Sequence, residues 1–279
     1  MFQAMRDFWN RRVRIPANWE SLVLDVGSGE KPHWRADVLC DLYPEASFSH
    51  HRAGGGSAQV TAPLVVGNAE DLPFKDKVFD FVIASNLLEH VPDPGKACSE
   101  LQRVAKAGYI ELPYEGLAKM NDLESHLWWC REEGRRIVFT PKVHMQFDPE
   151  IYSLTKELIN RRVWFQKVVH PNFDLTTVRF WWIDGFDFEV KGKAHEALQK
   201  EIAKLEAIHN KSARNRQSRS LKIMRFALKV LFWHKTRKEP FDLKALLKCP
   251  QSGEETLQQV SPNLYRGKDS GEIIRVLTP

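Results

Sequence analysis

Paired cysteines, long apolar runs and, over one stretch, acidic residues are what this chain lacks. Its four cysteines, Cys40, Cys98, Cys130 and Cys249, stand far apart, and none forms a Cys-x-x-Cys pair. That spacing fits no disulfide framework, and a reduced, cytoplasmic setting is expected. No run of eighteen apolar residues occurs, so no membrane-spanning helix is expected. The segment Met1–Trp9 lacks a sustained apolar stretch and a small-residue cleavage site, so no secretory signal is expected either. No Asp or Glu falls between Lys211 and Lys238, where ten Lys and Arg stand. The net charge of +5 is therefore expressed mainly there.

What is present is ample material for a core. The hydrophobic fraction is 43%, with nine Trp and sixteen Phe among 279 residues. Residues 1–20 read as a short amphipathic helix (Phe2, Met5, Phe8, Trp9) and a linker through Pro16. Residues 21–113 then alternate strands and helices. Leu22–Val26 is a first strand ending in Gly27; Ala36–Leu39 is a second, ending at Asp41. A polar loop follows with His50, His51 and Gly54-Gly55-Gly56. Pro63–Val66, Phe79–Ala84 and Tyr109–Leu112 are further strands, and Pro94–Val104 is a helix with Ala97, Leu101 and Val104 on one face. Short, nearly continuous apolar strands between helices predict an α/β fold: a Rossmann-like, doubly wound, mostly parallel sheet with helices on both faces. Residues 114–192 are less regular and aromatic. Within them Val178–Trp182 and Phe186–Val190 read as an antiparallel hairpin across Ile183-Asp184-Gly185. Residues 193–236 read as one or two helices, and 241–279 as a small appendage of turns and short strands. The expected organisation is thus an N-terminal helix and linker (1–20), a nucleotide-type domain (21–192), a basic helical segment (193–240) and a tail (241–279).

The chemistry starts at the first strand end. A nucleotide-like ligand lies across the carboxyl ends of parallel strands, where glycines let the backbone approach and turn. Gly27-Ser28-Gly29 supplies those glycines. Asp25 is placed to order the loop and to accept from a ligand amine. By itself this turn is equally a tight bend with no ligand. Asp41, sixteen residues on, closes the second strand, where an acid can accept from both ribose hydroxyls. Gly67-Asn68-Ala69-Glu70-Asp71-Leu72-Pro73-Phe74 follows the third strand. Phe79-Asp80-Phe81-Val82-Ile83-Ala84-Ser85-Asn86-Leu87-Leu88-Glu89-His90-Val91 runs through the fourth.

In that order and spacing, residues 21–113 resemble the class I S-adenosylmethionine-dependent methyltransferases, in particular the large group with an "AEDLPF…LEHV" signature. The resemblance implies S-adenosylmethionine as cofactor. Asp25, Gly27, Ser28 and Gly29 would line its methionine part. Asp41 would take the ribose hydroxyls with Leu42 packing on the adenine. Asn68, Ala69 and Glu70 would sit at the adenine edge, and Ser85 and Asn86 would face the sulfonium. Two departures stand out. Asn68 occupies a position where Asp is common, and Glu30-Lys31-Pro32 replaces the third glycine of the usual loop.

A sulfonium already activates its methyl group, so the protein mainly aligns the acceptor, and a base is needed only for a hydroxyl-type acceptor. The candidates for catalytic base are His126, in Glu124-Ser125-His126-Leu127-Trp128-Trp129, then His90 and Glu89. The alternative for His126 is a satisfied histidine beside packing tryptophans. His126, His144 and Cys130 match no zinc spacing, and no metal is expected.

The basic stretch 211–238 leaves three uses open: docking its apolar side on the domain, lying on an anionic membrane surface, or binding RNA phosphates. The tail, with Leu246-Leu247-Lys248-Cys249-Pro250-Gln251-Ser252-Gly253 and Gly271–Leu277, is similar to the small zinc-ribbon module that partners several methyltransferases. It retains Cys249 alone of the four ligands such a ribbon needs, so no zinc is expected in it. The reading is a cytoplasmic methyltransferase, at most peripheral to the inner membrane face, acting on a small-molecule, glycan or lipid-intermediate acceptor. Its rivals are an RNA methyltransferase using the basic helix and a non-catalytic cofactor-binding scaffold.

Overall fold

Strand β1 (Val23–Val26) is buried along its whole length because its alternate side chains enter two different cores. Leu24 and Val26 join the large cluster that includes Ala97, Leu101 and Val104. Val23 faces the other way, onto Ile15, Ala17, Phe81, Ile83 and Tyr109. A strand covered on both faces reads as a continuous apolar run, which is why Leu22–Val26 was visible from sequence. The chain is described here by a computed structural model covering residues 6, 8–45, 57–121, 125–143, 149–160, 164–196 and 219–279.

Strands β2 (Val38–Asp41), β3 (Leu64–Val66), β4 (Phe79–Ser85) and β5 (Ala105–Pro113) lie parallel to β1 in the order β3-β2-β1-β4-β5. The winding reverses between β1 and β4, and the carboxyl ends beside that reversal form the crevice in which open α/β sheets bind ligands. Helix α1 (Pro94–Val104) links β4 to β5, as expected. It starts where Asp93 accepts the Lys96 amide at 3.0 Å with Pro94 in the first turn, a standard helix start. Ala97, Cys98, Leu101 and Val104 form its buried face.

Antiparallel strands extend the sheet at both sides, so the parallel order holds for its centre and not its rims. Beyond β5 lies β8 (Thr177–Ile183). Beyond β3 lies β12 (Ile273–Leu277), followed by β11 (Leu264–Gly267) and β10 (Leu257–Ser261), completing nine strands. The tail appendage is therefore a meander hydrogen-bonded onto the central sheet, with Val276 opposite Val65.

The expected hairpin of residues 178–190 is not formed. The turn has its left-handed residues, Asp184 (φ 59°) and Gly185 (φ 134°), but the two strands part. β8 pairs with β5, where Trp182 lies over Gly108 and the rings of Trp181 and Tyr109 are 4.4 Å apart. β9 (Asp187–Val190) pairs in parallel with β7 (Arg136–Pro141), which is itself paired with β6 (Trp128–Glu133) in a second, three-stranded sheet. Aromatic cross-strand contact with β5 outweighs the local turn. The β6–β7 hairpin was not anticipated: its turn, Gly134-Arg135, has Gly134 at φ +63°.

Helices α2 (Glu115–Asn121), α3 (Pro149–Asn160) and α4 (Phe173–Thr176) fill the segment between β5 and β8. Helix α5 (Arg219–Leu231) precedes the tail. Before β1, Trp9–Val13 forms a short π-type turn; Phe2 and Met5 of the expected N-terminal helix lie outside the described residues. His50, His51, Gly54-Gly55-Gly56, Glu124, His144 and the basic residues 211–218 lie outside the described residues.

Candidate functional site

The loop after β1 is built from backbone that only glycine adopts cheaply. Gly27 has φ +68° and Gly29 φ +49°. A Cβ on Gly27 would stand 2.8 Å from Leu87 Cδ1, so the residue is also confined sterically. The loop is tied to the neighbouring strand: the Gly27 amide donates to the Cys40 carbonyl at 2.8 Å. The Gly29 amide donates to Asp41 Oδ2 and the Tyr43 amide to Asp41 Oδ1, both at 2.9 Å. Leu42, next to it, is 40% exposed.

Asp25 is buried, and its Oδ2 accepts the His33 amide at 2.6 Å. It orders the Glu30-Lys31-Pro32 stretch that stands where a third glycine was expected. Burial pushes its carboxyl up to about 6, against the His33 hydrogen bond and the charges of Arg12 and Arg225. The Ser28 hydroxyl is buried without a hydrogen-bond partner among the described residues.

The next two strand ends carry the remaining expected residues. Asn68 is exposed; its Oδ1 accepts the Glu70 amide at 3.0 Å, and Ala69 beside it is buried. Glu70 Oε1 accepts the Asp93 amide at 2.7 Å, so that carboxylate ties the loop after β3 to the start of α1. At the end of β4, Ser85 Oγ donates to Glu111 Oε1 at 3.1 Å, and the Asn86 amide donates to the Glu111 carbonyl at 2.8 Å. Asn86 itself is left-handed, φ +51°. Glu111, at the end of β5, was missed by sequence reading although it is an acid ending an apolar strand. It is buried, and Tyr109 Oη also donates to it at 2.8 Å.

The candidate bases gather past β4, with Glu89 and His126 buried and His90 partly exposed. His126 is 4% exposed, and its ring meets that of His90 edge to face at 4.8 Å. Burial and the charges of His90 and Lys142 hold His126 well below the usual histidine range. Glu89 is fully buried, and burial raises its carboxyl to about 8. His90 Nδ1 lies 2.9 Å from the Ser125 carbonyl. Trp128 is buried with its Nε1 donating to the Val91 carbonyl at 2.8 Å. His126 thus sits among packed tryptophans rather than at an open acceptor surface. Cys130 lies in the same interior, its thiol 3.9 Å from the Trp128 carbonyl.

Helix α5 docks on the loop after β1. Arg225 Nη1 donates to the Pro32 carbonyl at 2.7 Å and to that of His33 at 3.2 Å. Leu228 packs against Val13 and Trp34. The opposite face is uncovered: Ile223, Phe226, Val230 and Leu231 are exposed, with Trp233 just beyond. The turns of the tail are joined by carboxylates. Glu254 accepts from the Asp269 and Ser270 amides at 3.0 and 2.9 Å, and Glu272 from those of Gln251 and Ser252 at 3.1 and 2.9 Å.

Residues 24–110 match the family described as a methyltransferase domain. The stretch spans β1 to β5 and contains every cofactor residue expected from sequence. Among curated relatives, the demethylmenaquinone methyltransferase of Thermobifida fusca is 33% identical over 135 residues, 44% of this chain and 51% of that protein. The demethylmenaquinone methyltransferase of Streptomyces avermitilis is 52% identical over 109 residues, 36% of this chain and 45% of that protein. The ubiquinone/menaquinone biosynthesis C-methyltransferase of a Ruegeria species is 40% identical over 100 residues, 33% of this chain and 40% of that protein. The chain spans about half the length of the curated relatives it matches.

Proposed function

We propose that the protein is an S-adenosylmethionine-dependent methyltransferase. The observation that carries this is the Gly27–Gly29 loop fastened to Asp41 across the β1–β2 ends, inside a stretch matching a methyltransferase domain. The cradle fits the cofactor in kind. Gly27 and Gly29 hold the loop in left-handed backbone, Asp41 sets a carboxylate at the adjoining strand end, and Leu42 offers an uncovered apolar side chain. Ser28 retains a buried hydroxyl without a partner among the described residues.

When bound, S-adenosylmethionine supplies an electrophilic methyl group that needs no further activation. The work left to this chain is binding and alignment. Gly27 and Gly29 let the backbone approach, Asp41 fixes a diol, and Ser85 and Asn86 present polar groups at the β4 end held by Glu111. His126 is kept from direct proton transfer to an outside acceptor by its burial, and the partly exposed His90 turns its Nδ1 to the Ser125 carbonyl, so an acceptor needing no protein base suits this site.

For the acceptor we propose a lipid intermediate. The relatives named above act, by their names, on quinone precursors, and α5 presents an apolar face beside the loop after β1. Ile223, Phe226, Val230 and Leu231 recur at helical spacing with Lys229 alongside, the pattern of a helix lying in an anionic membrane interface. The inward face of that helix is taken by docking, so membrane contact uses only the outward one. Among the described residues no helix is long and apolar enough to cross a membrane.

Calorimetric titration with S-adenosylmethionine, followed by labelled methyl transfer to lipid, polar small-molecule and RNA fractions, tests the reading. Binding with label in the lipid fraction is expected. Label confined to RNA would replace the acceptor proposal, tight binding without any labelled product would indicate a scaffold, and no binding would overturn the whole reading.

A further inference from the structure

The cluster past β4 has a property that methyl transfer does not call for. Both carboxyl oxygens of Glu89 and the Nδ1 of His126 are buried with no hydrogen-bond partner among the described residues. Leaving such groups unsatisfied costs on the order of 1–3 kcal/mol each, so something ordinarily fills the space between them. Glu89 Oε1 and His90 Nε2 are 3.7 Å apart, too far for a hydrogen bond and close enough to share a third atom. One donor atom each from Glu89, His90 and His126 lies within 4.8 Å of the others.

The surrounding structure holds these donors in place. The Ser125 carbonyl only accepts, so His90 Nδ1 carries the hydrogen toward it and the Nε2 lone pair is directed to the Glu89 side. An imidazole whose outer nitrogen is fixed by a carbonyl is the usual support of a metal-binding histidine. The two segments that contribute the donors are cross-linked by their backbones: the Leu127 amide donates to the Glu89 carbonyl at 2.8 Å, and the His90 amide to that of Leu87 at 3.0 Å. Other charged groups face the cluster. Among the described residues Glu111 acts on Glu89, and Lys142 acts on His126.

We propose that Glu89, His90 and His126 bind one divalent transition-metal ion, with zinc the best match to two imidazoles and a carboxylate. Three protein donors leave a coordination position for water or another ligand, as in zinc sites that are not purely structural. His90, whose side chain is 18% exposed, forms the route to solvent. Reading the sequence for spacing missed this set because it joined His126 to Cys130 and His144; the fold joins it to Glu89 and His90, 37 and 36 positions away in the chain.

The test uses the full chain, stripped with chelator and titrated with Co2+ while visible absorption is recorded, and with Zn2+ by calorimetry. One ion per chain is expected, with the intense visible bands of a low-coordinate Co2+ site that Zn2+ then abolishes. Glu89→Gln, His90→Gln and His126→Gln are each expected to weaken binding by about tenfold or more. Far-ultraviolet circular dichroism identifies variants that have not folded, and three independent positions keep the comparison available if one fails. Absence of bands and heat up to about 1 mM metal in folded wild-type protein would overturn the proposal. So would binding that all three folded variants retain, which would place the ion elsewhere. Neither outcome depends on whether the chain transfers methyl groups.

Discussion

Asp41 accepts the Gly29 amide at 2.9 Å, so the end of β2 holds the loop that leaves β1. In the proposed site the same carboxylate takes the ribose diol, so that reading makes loop order and ligand binding depend on one side chain. Asp41→Ala is expected to weaken S-adenosylmethionine binding by about 1–3 kcal/mol, the usual cost of losing a charged hydrogen-bond partner. Asp41→Asn is expected to fall between, since its amide oxygen still accepts. Calorimetry on both variants checks this; an unchanged dissociation constant in Asp41→Ala would remove the residue from the site.

Gly27→Val sets two penalties against the fold at once. Its φ of +68° is strained for any residue with a Cβ, and the first added carbon would meet Leu87 at 2.8 Å. The expected loss of stability is on the order of 1–3 kcal/mol, with cofactor binding abolished. Urea unfolding and cofactor titration on the same preparation separate the two effects. Leu87→Ala in the Gly27→Ala background is expected to relieve the clash but not the backbone strain, so it recovers only part of the stability.

These loop residues were legible in the sequence because their roles are local. A glycine after an apolar strand, or an acid closing the next one, acts on its own strand end, and strand order follows from the α/β alternation. Partner choice across the chain was not legible. Nothing in Val178–Val190 says that Trp182 finds Gly108 on β5 while Phe188 finds Ile137 on β7, so the local turn signal produced a false hairpin. Glu89 and His126 likewise read as separate candidates because their proximity arises only when the segment before β6 crosses the end of β4. The docking of α5 was one of three readings until Arg225 was seen on the Pro32 carbonyl. The helix has one face docked and one left apolar and exposed.

Asp25 makes stability depend on pH in a defined direction. Its carboxyl keeps its proton up to about 6 in the folded chain, against 3.8 for an ordinary solvent-exposed aspartate. Between those values the folded state binds the extra proton. The group's contribution is therefore fully present below the unfolded value and is lost as pH rises through about 6, a change on the order of 3 kcal/mol. Asp25→Asn keeps an acceptor for the His33 amide and carries no charge. The variant is expected to gain on wild type as pH rises from about 4 to about 7, and to run level above that. Urea unfolding of both proteins across this range gives the difference directly. A flat difference would mean that Asp25 is not held up by burial.

The two faces of α5 are expected to respond to substitution in opposite ways. Phe226 is 71% exposed and touches no core cluster, so Phe226→Glu should leave the unfolding midpoint almost unchanged. The same change places a negative charge on the apolar stripe and should abolish sedimentation with vesicles containing anionic lipid. Arg225→Met should do the reverse. It removes the hydrogen bonds to the Pro32 and His33 carbonyls and should cost about 1–3 kcal/mol of stability while the outward stripe stays intact. Wild-type protein that does not pellet with anionic vesicles at low salt would eliminate the membrane role of α5. Its docking role would still stand on the Arg225→Met result, because that contact belongs to the folded chain and needs no lipid.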